Sequence, residues 1–133
     1  MIDHLSTYAT DYERTKTFYE GVFAVLGHAL LTEMVTDWDE DFPSRRICAF
    51  GSQGNTAFWI IETRVNYTPR HIAFSAESRG MVEHFYDKAL RCGGQDNGKP
   101  GLRPTYHEHY FGAFVLDPDG NNVEAVCHTQ PAA

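Results

Sequence analysis

The 133-residue sequence has no long apolar run and no concentration of basic residues, and each absence excludes a class of partner. No apolar segment approaches the roughly 20 residues of a membrane helix, so we expect no membrane partner. Acidic residues outnumber basic ones by 18 to 11, and the longest basic cluster is Arg45-Arg46. Because nucleic-acid binding requires concentrated positive charge, we expect no nucleic-acid partner either. Small molecules and other proteins remain as partners.

Cysteines are few, and their spacing excludes two kinds of site. Cys48, Cys92 and Cys127 are far apart and form no Cys-x-x-Cys motif, so they predict buried reduced thiols rather than a disulfide framework or a thiolate zinc site. The first residues, Met-Ile-Asp-His, lack the basic and apolar regions of a secretion signal. These features predict a cytoplasmic protein. The apolar fraction of 42% is that of a globular chain, and the length suits one domain.

The sequence repeats itself at an offset of 67 residues. The matched pairs are His4 with His71, Phe18-Tyr19 with Phe85-Tyr86, and Gly27 with Gly94. Each half reads as a strand, an amphipathic helix and then further strands, with helices predicted over 11–26 and from the cap Ser78 to Gly93-Gly94. The segment 97–104 is rich in turn residues. We therefore predict two modules, about 1–66 and 67–128, that pair because each buries only half a core.

The last strands of the chain form a predicted hairpin that carries one carboxylate. Phe114 to Leu116 suits a strand, and Asp117-Pro-Asp-Gly120 suits a tight turn. The returning strand alternates so that Glu124 points away from the face of Val123. An unpartnered buried carboxylate is costly, so Glu124 should meet a cation, a hydrogen-bond donor or water. A salt bridge to Arg103 is one alternative.

Two histidines occupy matching positions on the first strand of each half. If the halves pack about a pseudo-two-fold axis, His4 and His71 converge with Glu124 in a shared cleft. Two imidazoles and one carboxylate suit a divalent ion such as iron, zinc, nickel or manganese, with positions left open for water or substrate. This set predicts a catalytic metal site.

The residues together resemble the vicinal oxygen chelate superfamily, which includes glyoxalase I, bleomycin-resistance proteins, fosfomycin-resistance enzymes and extradiol dioxygenases. The resemblance rests on the two His-led strands, the Phe-Tyr helix and the ending Asp-Pro-Asp-Gly-Asn-Asn-Val-Glu. It implies an α+β fold in which two paired βαβββ modules form a half-open, eight-stranded, barrel-like sheet around a central cleft. It also implies a homodimer, and it places the family's metal ligands on His4, His71 and Glu124.

One position departs from the glyoxalase pattern. Glyoxalase-like members carry a fourth ligand on the last strand of the first half, where the repeat places Phe58 or, with a one-residue slip, Trp59. Neither side chain ligates a metal ion, and Glu62 is the nearest acid. The three remaining ligands are similar to those of the extradiol dioxygenases and the three-ligand resistance enzymes.

Further side chains are candidates for roles around the metal. In an extended segment His107 and His109 share one face, and with Tyr110 they could carry protons or hold an oxyanion. Phe58, Trp59 and Phe114 are candidate walls of a pocket for an apolar or aromatic ligand. No role is assigned to the remaining histidines, which are His28, His84 and His128.

The leading hypothesis is a metalloprotein that binds a small oxygen-bearing substrate through a divalent ion held by His4, His71 and Glu124. Lyase and dioxygenase chemistry fit equally well. The alternative is a non-catalytic binding protein of the bleomycin-resistance type, which holds an aromatic or drug-like ligand without metal.

Overall fold

The computed structural model describes residues 1–131, and the chain divides into two compact units, the first ending at Thr68 and the second beginning at Pro69. Each unit follows the order strand, helix, three strands, which confirms the predicted α+β class and the βαβββ modules. The elements are β1 (Leu5–Ala9), α1 (Tyr12–Leu26), β2 (Ala29–Val35), β3 (Arg46–Ser52), β4 (Asn55–Glu62), β5 (His71–Ser75), α2 (Arg79–Arg91), β6 (Gln95–Leu102), β7 (Phe111–Leu116) and β8 (Asn122–Cys127).

Both units build the same four-stranded mixed sheet. The strand order is β1-β4-β3-β2 in the first unit and β5-β8-β7-β6 in the second. The first strand of each unit pairs in parallel with the last, and the other pairings are antiparallel. The repeat seen in the sequence is thus a repeat of topology, and it makes positions in the two units directly comparable.

Local signals set the ends of both helices. The carboxylate of Asp11 accepts a hydrogen bond from the Arg14 amide, so α1 begins one residue later than predicted, and Gly27 ends it with a φ of 87°. The hydroxyl of Ser78 caps α2 in the same way through the Met81 amide. Neither helix of the described residues is long and apolar enough to span a membrane.

The apolar stripe of each helix lies against its own sheet. In α1 the buried side chains include Phe18, Tyr19 and Phe23. In α2 they are Val82, Phe85, Tyr86 and Ala89. Burial of one such aromatic or branched side chain stabilises the fold by roughly 1.5–3 kcal/mol, so these stripes fix one face of each sheet against its helix. The opposite face of each sheet is left to carry a site.

The prediction for residues 97–104 was wrong in one respect. Despite Gly98, Pro100 and Gly101, the segment forms most of β6 and pairs with β7, with register shifts on both sides of Gly98. The turn residues bend the strand rather than end it, because β7 supplies the backbone partners. The cysteines form no disulfide; Cys48 and Cys127 are buried as predicted, and Cys92 is half-buried.

Candidate metal and substrate site

The face of the second sheet opposite α2, which we call the site face, carries the predicted functional residues. Val123 and Ala125 are fully buried on the α2 side of β8, so Glu124 between them points to the site face. Glu124 pairs with Ala73 of β5 on one side and with Phe114 of β7 on the other. His71 begins β5 and lies on the same face as Ala73. The strands therefore bring His71, Glu124 and Phe114 together.

His71 and Glu124 contact each other directly. The Nε2 atom of His71 lies 3.1 Å from Oε1 of Glu124, and the Nδ1 atom of His71 lies 3.0 Å from the carbonyl oxygen of Asn122. A carbonyl only accepts, so Nδ1 carries the hydrogen and, in the neutral ring, Nε2 is an acceptor. Two acceptors then face each other. Such a contact is stable only with a proton or a cation between them.

The second oxygen of Glu124 is held by Tyr110. The Tyr110 hydroxyl donates a hydrogen bond to Oε2 of Glu124. Burial and, next, this hydrogen bond raise the pKa of Tyr110 to about 12, so the hydroxyl keeps its proton at neutral pH. The Glu124 side chain is only 2% exposed. Tyr110 thus orients a buried carboxylate so that Oε1 is directed at His71.

This pair fits a divalent metal ion. Imidazole nitrogen and carboxylate oxygen are ligands that zinc, iron, nickel and manganese accept, and a metal-binding histidine usually donates its other ring hydrogen to a carbonyl or carboxylate. His71 and Asn122 make such a contact. Glu124 and His71 would hold the ion through Oε1 and Nε2. Asn122 was not singled out in the sequence, because its role depends on strand pairing.

His4 lies in the first unit, just before β1. It is exposed, and its Nδ1 atom lies 2.6 Å from a carboxylate oxygen of the neighbouring Asp3. Within residues 1–131 no three or more His, Cys, Asp or Glu side chains are grouped closely enough to hold a metal ion. The participation of His4 remains a prediction.

Strand pairing identifies the first-unit counterpart of Glu124. In the second unit Ala73 pairs with Glu124, and in the first unit Ser6, two residues after His4, pairs with Trp59. Trp59, and not Phe58, is therefore at the position of the fourth glyoxalase ligand. Phe58 is on the other face and packs in the core, with its ring 4.8 Å from Tyr19. Phe58 is therefore a core residue and, contrary to the prediction, does not line the site.

Glu62 does not replace the missing fourth ligand. It lies three residues beyond Trp59 in β4, so it points to the opposite face of the sheet. There Nη2 of Arg46 approaches Oε2 of Glu62 to 2.8 Å, and the Arg46 amide donates to Oε1 at 2.9 Å. The hydrogen bonds from Arg46 hold the pKa of Glu62 below its usual range. Its carboxylate has a structural role in the first unit.

The Glu62 contact predicts a pH-dependent contribution to stability. A carboxylate whose pKa falls on folding stabilises the fold above its unfolded pKa and loses that contribution as the pH drops. Replacing Glu62 with glutamine should lower the free energy of unfolding by about 1–2 kcal/mol at pH 7, and by much less near pH 3. Urea denaturation of both proteins at the two pH values measures this. The exposed Glu40, replaced in the same way, is the control, and an equal loss at both pH values would contradict the assignment.

The polar rings near residue 107 are arranged differently from the prediction. Residues 103–109 form turns, so His107 and His109 do not share the face of an extended segment. The His109 amide donates to Nδ1 of His107, and Nε2 of His107 lies 2.6 Å from Nδ1 of His128. His128 was given no role from sequence. Only the pairing of β7 with β8 brings it beside His107.

These rings stand beside Tyr110. The Tyr110 ring lies 5.4 Å from that of His107 and 5.2 Å from that of His128. The Nε2 atom of His109 contacts the amide of Gln130 at 3.1 Å. Tyr110 therefore links Glu124 to a histidine pair, through a hydrogen bond on one side and ring packing on the other.

Arg103 does not form the suggested salt bridge with Glu124. Its Nη2 atom donates to the carbonyl oxygen of Lys99 at 2.6 Å, and its guanidinium lies 5.5 Å from the centre of the Phe114 ring. The His71 ring also lies near Phe114, with ring centres 6.1 Å apart. Phe114 thus has both an imidazole and a cationic side chain as neighbours. No pattern in the sequence indicated this position of Arg103.

The first unit has a small cavity of its own, with a volume of about 200 Å³. Tyr8 and Ile61 contribute from the same side of their strands as Trp59, and Trp38, Asp39 and Arg45 complete the lining. Tyr8 also stacks on Tyr67, with ring centres 4.4 Å apart. Aromatic side chains at such a cavity suit a planar or apolar ligand.

Comparison with solved structures supports the fold. A glyoxalase/bleomycin resistance protein from Albidiferax ferrireducens T118 is 24% identical, with a TM-score of 0.73 over 97% of this chain and 99% of that one. A mutant of glyoxalase I from Zea mays is 20% identical, with a TM-score of 0.70 over 94% of this chain and 46% of that one. A mutant of the fosfomycin resistance protein FosX from Listeria monocytogenes, complexed with Mn(II) and a dihydroxypropylphosphonic acid, is 16% identical, with a TM-score of 0.68 over 95% and 90% of the two chains.

Two further comparisons bear on identity. No curated protein matches the chain. A family model described as the Glyoxalase/Bleomycin resistance protein/Dioxygenase superfamily matches residues 1–125, which is nearly the full length. Together with the repeated βαβββ topology, this match shows that the chain belongs to the Glyoxalase/Bleomycin resistance protein/Dioxygenase superfamily, the vicinal oxygen chelate proteins.

Proposed function

We propose that this protein binds a divalent metal ion through His71 and Glu124, together with His4, and that the ion holds a small oxygen-bearing substrate. The observation that carries the proposal is the 3.1 Å contact between Nε2 of His71 and Oε1 of Glu124. Both atoms are acceptors when His71 is neutral, and a divalent cation between them satisfies both. The relative FosX was crystallised with Mn(II), and manganese is within the range that this ligand set accepts.

The bound ion would supply Lewis-acid stabilisation of developing negative charge on substrate oxygens. The residues of the chain would orient the ligands and manage protons. Tyr110 holds Glu124 in position through its hydroxyl, and it is the candidate proton carrier that contacts a proposed metal ligand. His107 and His109 remain proposed proton carriers, now with His128 as the hydrogen-bonded partner of His107. Lyase and dioxygenase chemistry are both compatible with this arrangement.

Metal content tests the proposal. Untagged protein, incubated in turn with iron, zinc, nickel and manganese and then desalted, should retain about one ion per chain of at least one metal. His71→Ala should retain little, because the imidazole ligand is gone. His84→Ala is the matched control, since His84 is an exposed histidine of α2 outside the site face, and it should retain as much as the wild type. Elemental analysis by mass spectrometry measures all three.

Failure of the wild type to retain any of the four metals would contradict the proposal. Retention that is equal in the wild type and His71→Ala would place the ion elsewhere. The first of these results would favour the second candidate function, a metal-free protein that binds an aromatic ligand. Trp59 at the fourth-ligand position and the aromatic cavity of the first unit favour that candidate. Binding of a fluorescent aromatic probe, lost in Trp59→Ala, would then be expected.

The proposal also covers the assembly and the cellular location of the protein. We propose that the protein is a homodimer, because that is the assembly that the family resemblance implies, and that it works in the cytoplasm. Light scattering of the purified chain tests the dimer, with twice the chain mass expected.

A further inference from the structure

We infer that Arg103 binds an oxyanion of the ligand, so that the substrate of the proposed site is a small organic acid rather than a neutral molecule. The inference rests on the proposed function for the site itself, and it adds the class of substrate and a residue that determines specificity. It is carried by the position of Arg103, by the way β6 accommodates its side chain, and by the absence of a carboxylate partner.

Arg103 lies beside Phe114, whose side chain is on the site face with the proposed ligands. Its guanidinium carbon lies 5.5 Å from the centre of the Phe114 ring, and the His71 ring lies 6.1 Å from the same centre. Phe114 is also the cross-strand partner of Glu124. A ligand that contacts the Phe114 ring can therefore approach His71 with one end and Arg103 with the other.

Strand β6 is shaped to admit the guanidinium. A Cβ atom at Gly98 would lie 3.4 Å from Nη2 of Arg103 and 3.0 Å from a ring carbon of Phe114. A Cβ atom at Gly101 would lie 3.1 Å from Nη1 of Arg103. A side chain at Gly98 would therefore crowd Phe114 most, and one at Gly101 would crowd the guanidinium. The two glycines thus leave room on β6 for the Phe114 ring and the guanidinium of Arg103.

Arg103 has no carboxylate partner among residues 1–131. The two acceptors of its guanidinium hydrogen bonds are the carbonyl oxygens of Lys99 and Leu102, at 2.6 and 3.5 Å. Glu124 is held by His71 and Tyr110, and the carboxylate of Asp96 accepts from the Gly98 amide at 2.9 Å. Acids are abundant in this chain, whose net charge is −7. A half-buried guanidinium held by carbonyls can still form charge-assisted hydrogen bonds with an anion from solution.

The guanidinium fork matches a carboxylate or a phosphate, because both present two oxygens at the spacing of its N–H groups. A lysine would supply the charge without this geometry. The inferred ligand is therefore an oxyanion that also carries the oxygens for the metal. Its source, a carboxylic acid or a phosphorylated or phosphonic acid, is distinguished by the experiment.

The experiment is an NMR titration of the full-length, 15N-labelled protein with malonate, inorganic phosphate and neutral malonamide. It is performed before and after removal of metal with a chelator. We expect malonate or phosphate to shift the amide signals of Gly98 and Gly101, and malonamide to leave them unchanged. The stronger of the two anions identifies the class. Arg103→Gln should weaken anion binding by about tenfold or more, and Arg103→Lys should weaken it less.

Lys99→Gln is the matched control, because it removes one cation from the same strand without altering the guanidinium, and it should bind almost as the wild type does. The inference is overturned if malonamide binds as tightly as malonate, if neither anion shifts the glycine signals, or if Arg103→Gln binds like the wild type. The first two outcomes are read from the wild type alone and do not depend on a variant that folds. Anion binding that survives chelation tests Arg103 separately from the metal. An anion bound only in the presence of metal, and equally in Arg103→Gln, would overturn this inference and leave the proposed function intact.

Discussion

Replacing Glu124 with glutamine should lower the affinity of the protein for a divalent ion by about 100-fold or more. The glutamine amide retains an oxygen near the position of Oε1. The substitution nevertheless removes the negative charge that attracts the cation to His71 and residue 124. Loss of a group that only supports a ligand typically costs 10–100-fold in metal affinity, so loss of the charged ligand itself should cost at least the upper end of that range. Competition with a chromophoric zinc chelator measures the affinity.

Tyr110→Phe is a milder change at the same site, and its effect on metal affinity is compared with that of Glu124→Gln. It removes the hydroxyl that donates to Oε2 of Glu124 and leaves both proposed ligands in place. We expect a loss of about tenfold, clearly smaller than that of Glu124→Gln. The assignment would be contradicted if Glu124→Gln bound zinc as tightly as the wild type. An effect of Tyr110→Phe larger than that of Glu124→Gln would make the tyrosine, rather than the carboxylate, the ligand.

Replacing Phe23 with alanine should destabilise the protein by about 3–5 kcal/mol. Phe23 is 2% exposed, and its ring lies 5.1–5.4 Å from the rings of Phe58, Phe50 and Tyr19, so the change leaves a cavity between α1 and its sheet. Since the net stability of a domain is only about 5–15 kcal/mol, the loss is a large share of the total. Urea denaturation followed by circular dichroism measures it.

Leu31→Ala is the control for the Phe23 variant. Leu31 lies in β2 of the same sheet and is 38% exposed, so its truncation should cost no more than about 1 kcal/mol. Equal losses for the two variants would show that the aromatic cluster beneath α1 is not the packed core of the first unit.

The elements with local signals were predictable from sequence. Both helices carry a side-chain cap and an apolar period of three to four residues, and these features depend only on neighbours in the chain. Strand β6 was missed because Gly98, Pro100 and Gly101 are typical of turns, whereas its structure is imposed by pairing with β7. Propensity yields to a backbone partner that the local sequence does not show.

The candidate site, too, was predictable only where local sequence decides the outcome. Alternation along β8 was enough to direct Glu124 away from the helix face, and the repeat singled out His71. The partners of these residues depend on registers between strands that are about 50 residues apart in the chain, as in the pairing of His71 with Asn122. Sequence patterns do not fix such registers. For the same reason, the sequence left open whether Phe58 or Trp59 is at the fourth-ligand position. The contact of His107 with His128 was not predicted, because it too depends on strand register.

The most direct test of the account follows the His71 ring itself. In 15N-histidine-labelled protein, we predict that Nδ1 of His71 carries a hydrogen both with and without metal, because that atom donates to the Asn122 carbonyl. Addition of one equivalent of 113Cd, an NMR-active substitute for zinc, should move the Nε2 signal of His71 and split it by coupling to the metal. His71 ring signals that stay unchanged, or coupling that appears on Nδ1 instead, would contradict the proposed coordination by His71 and Glu124.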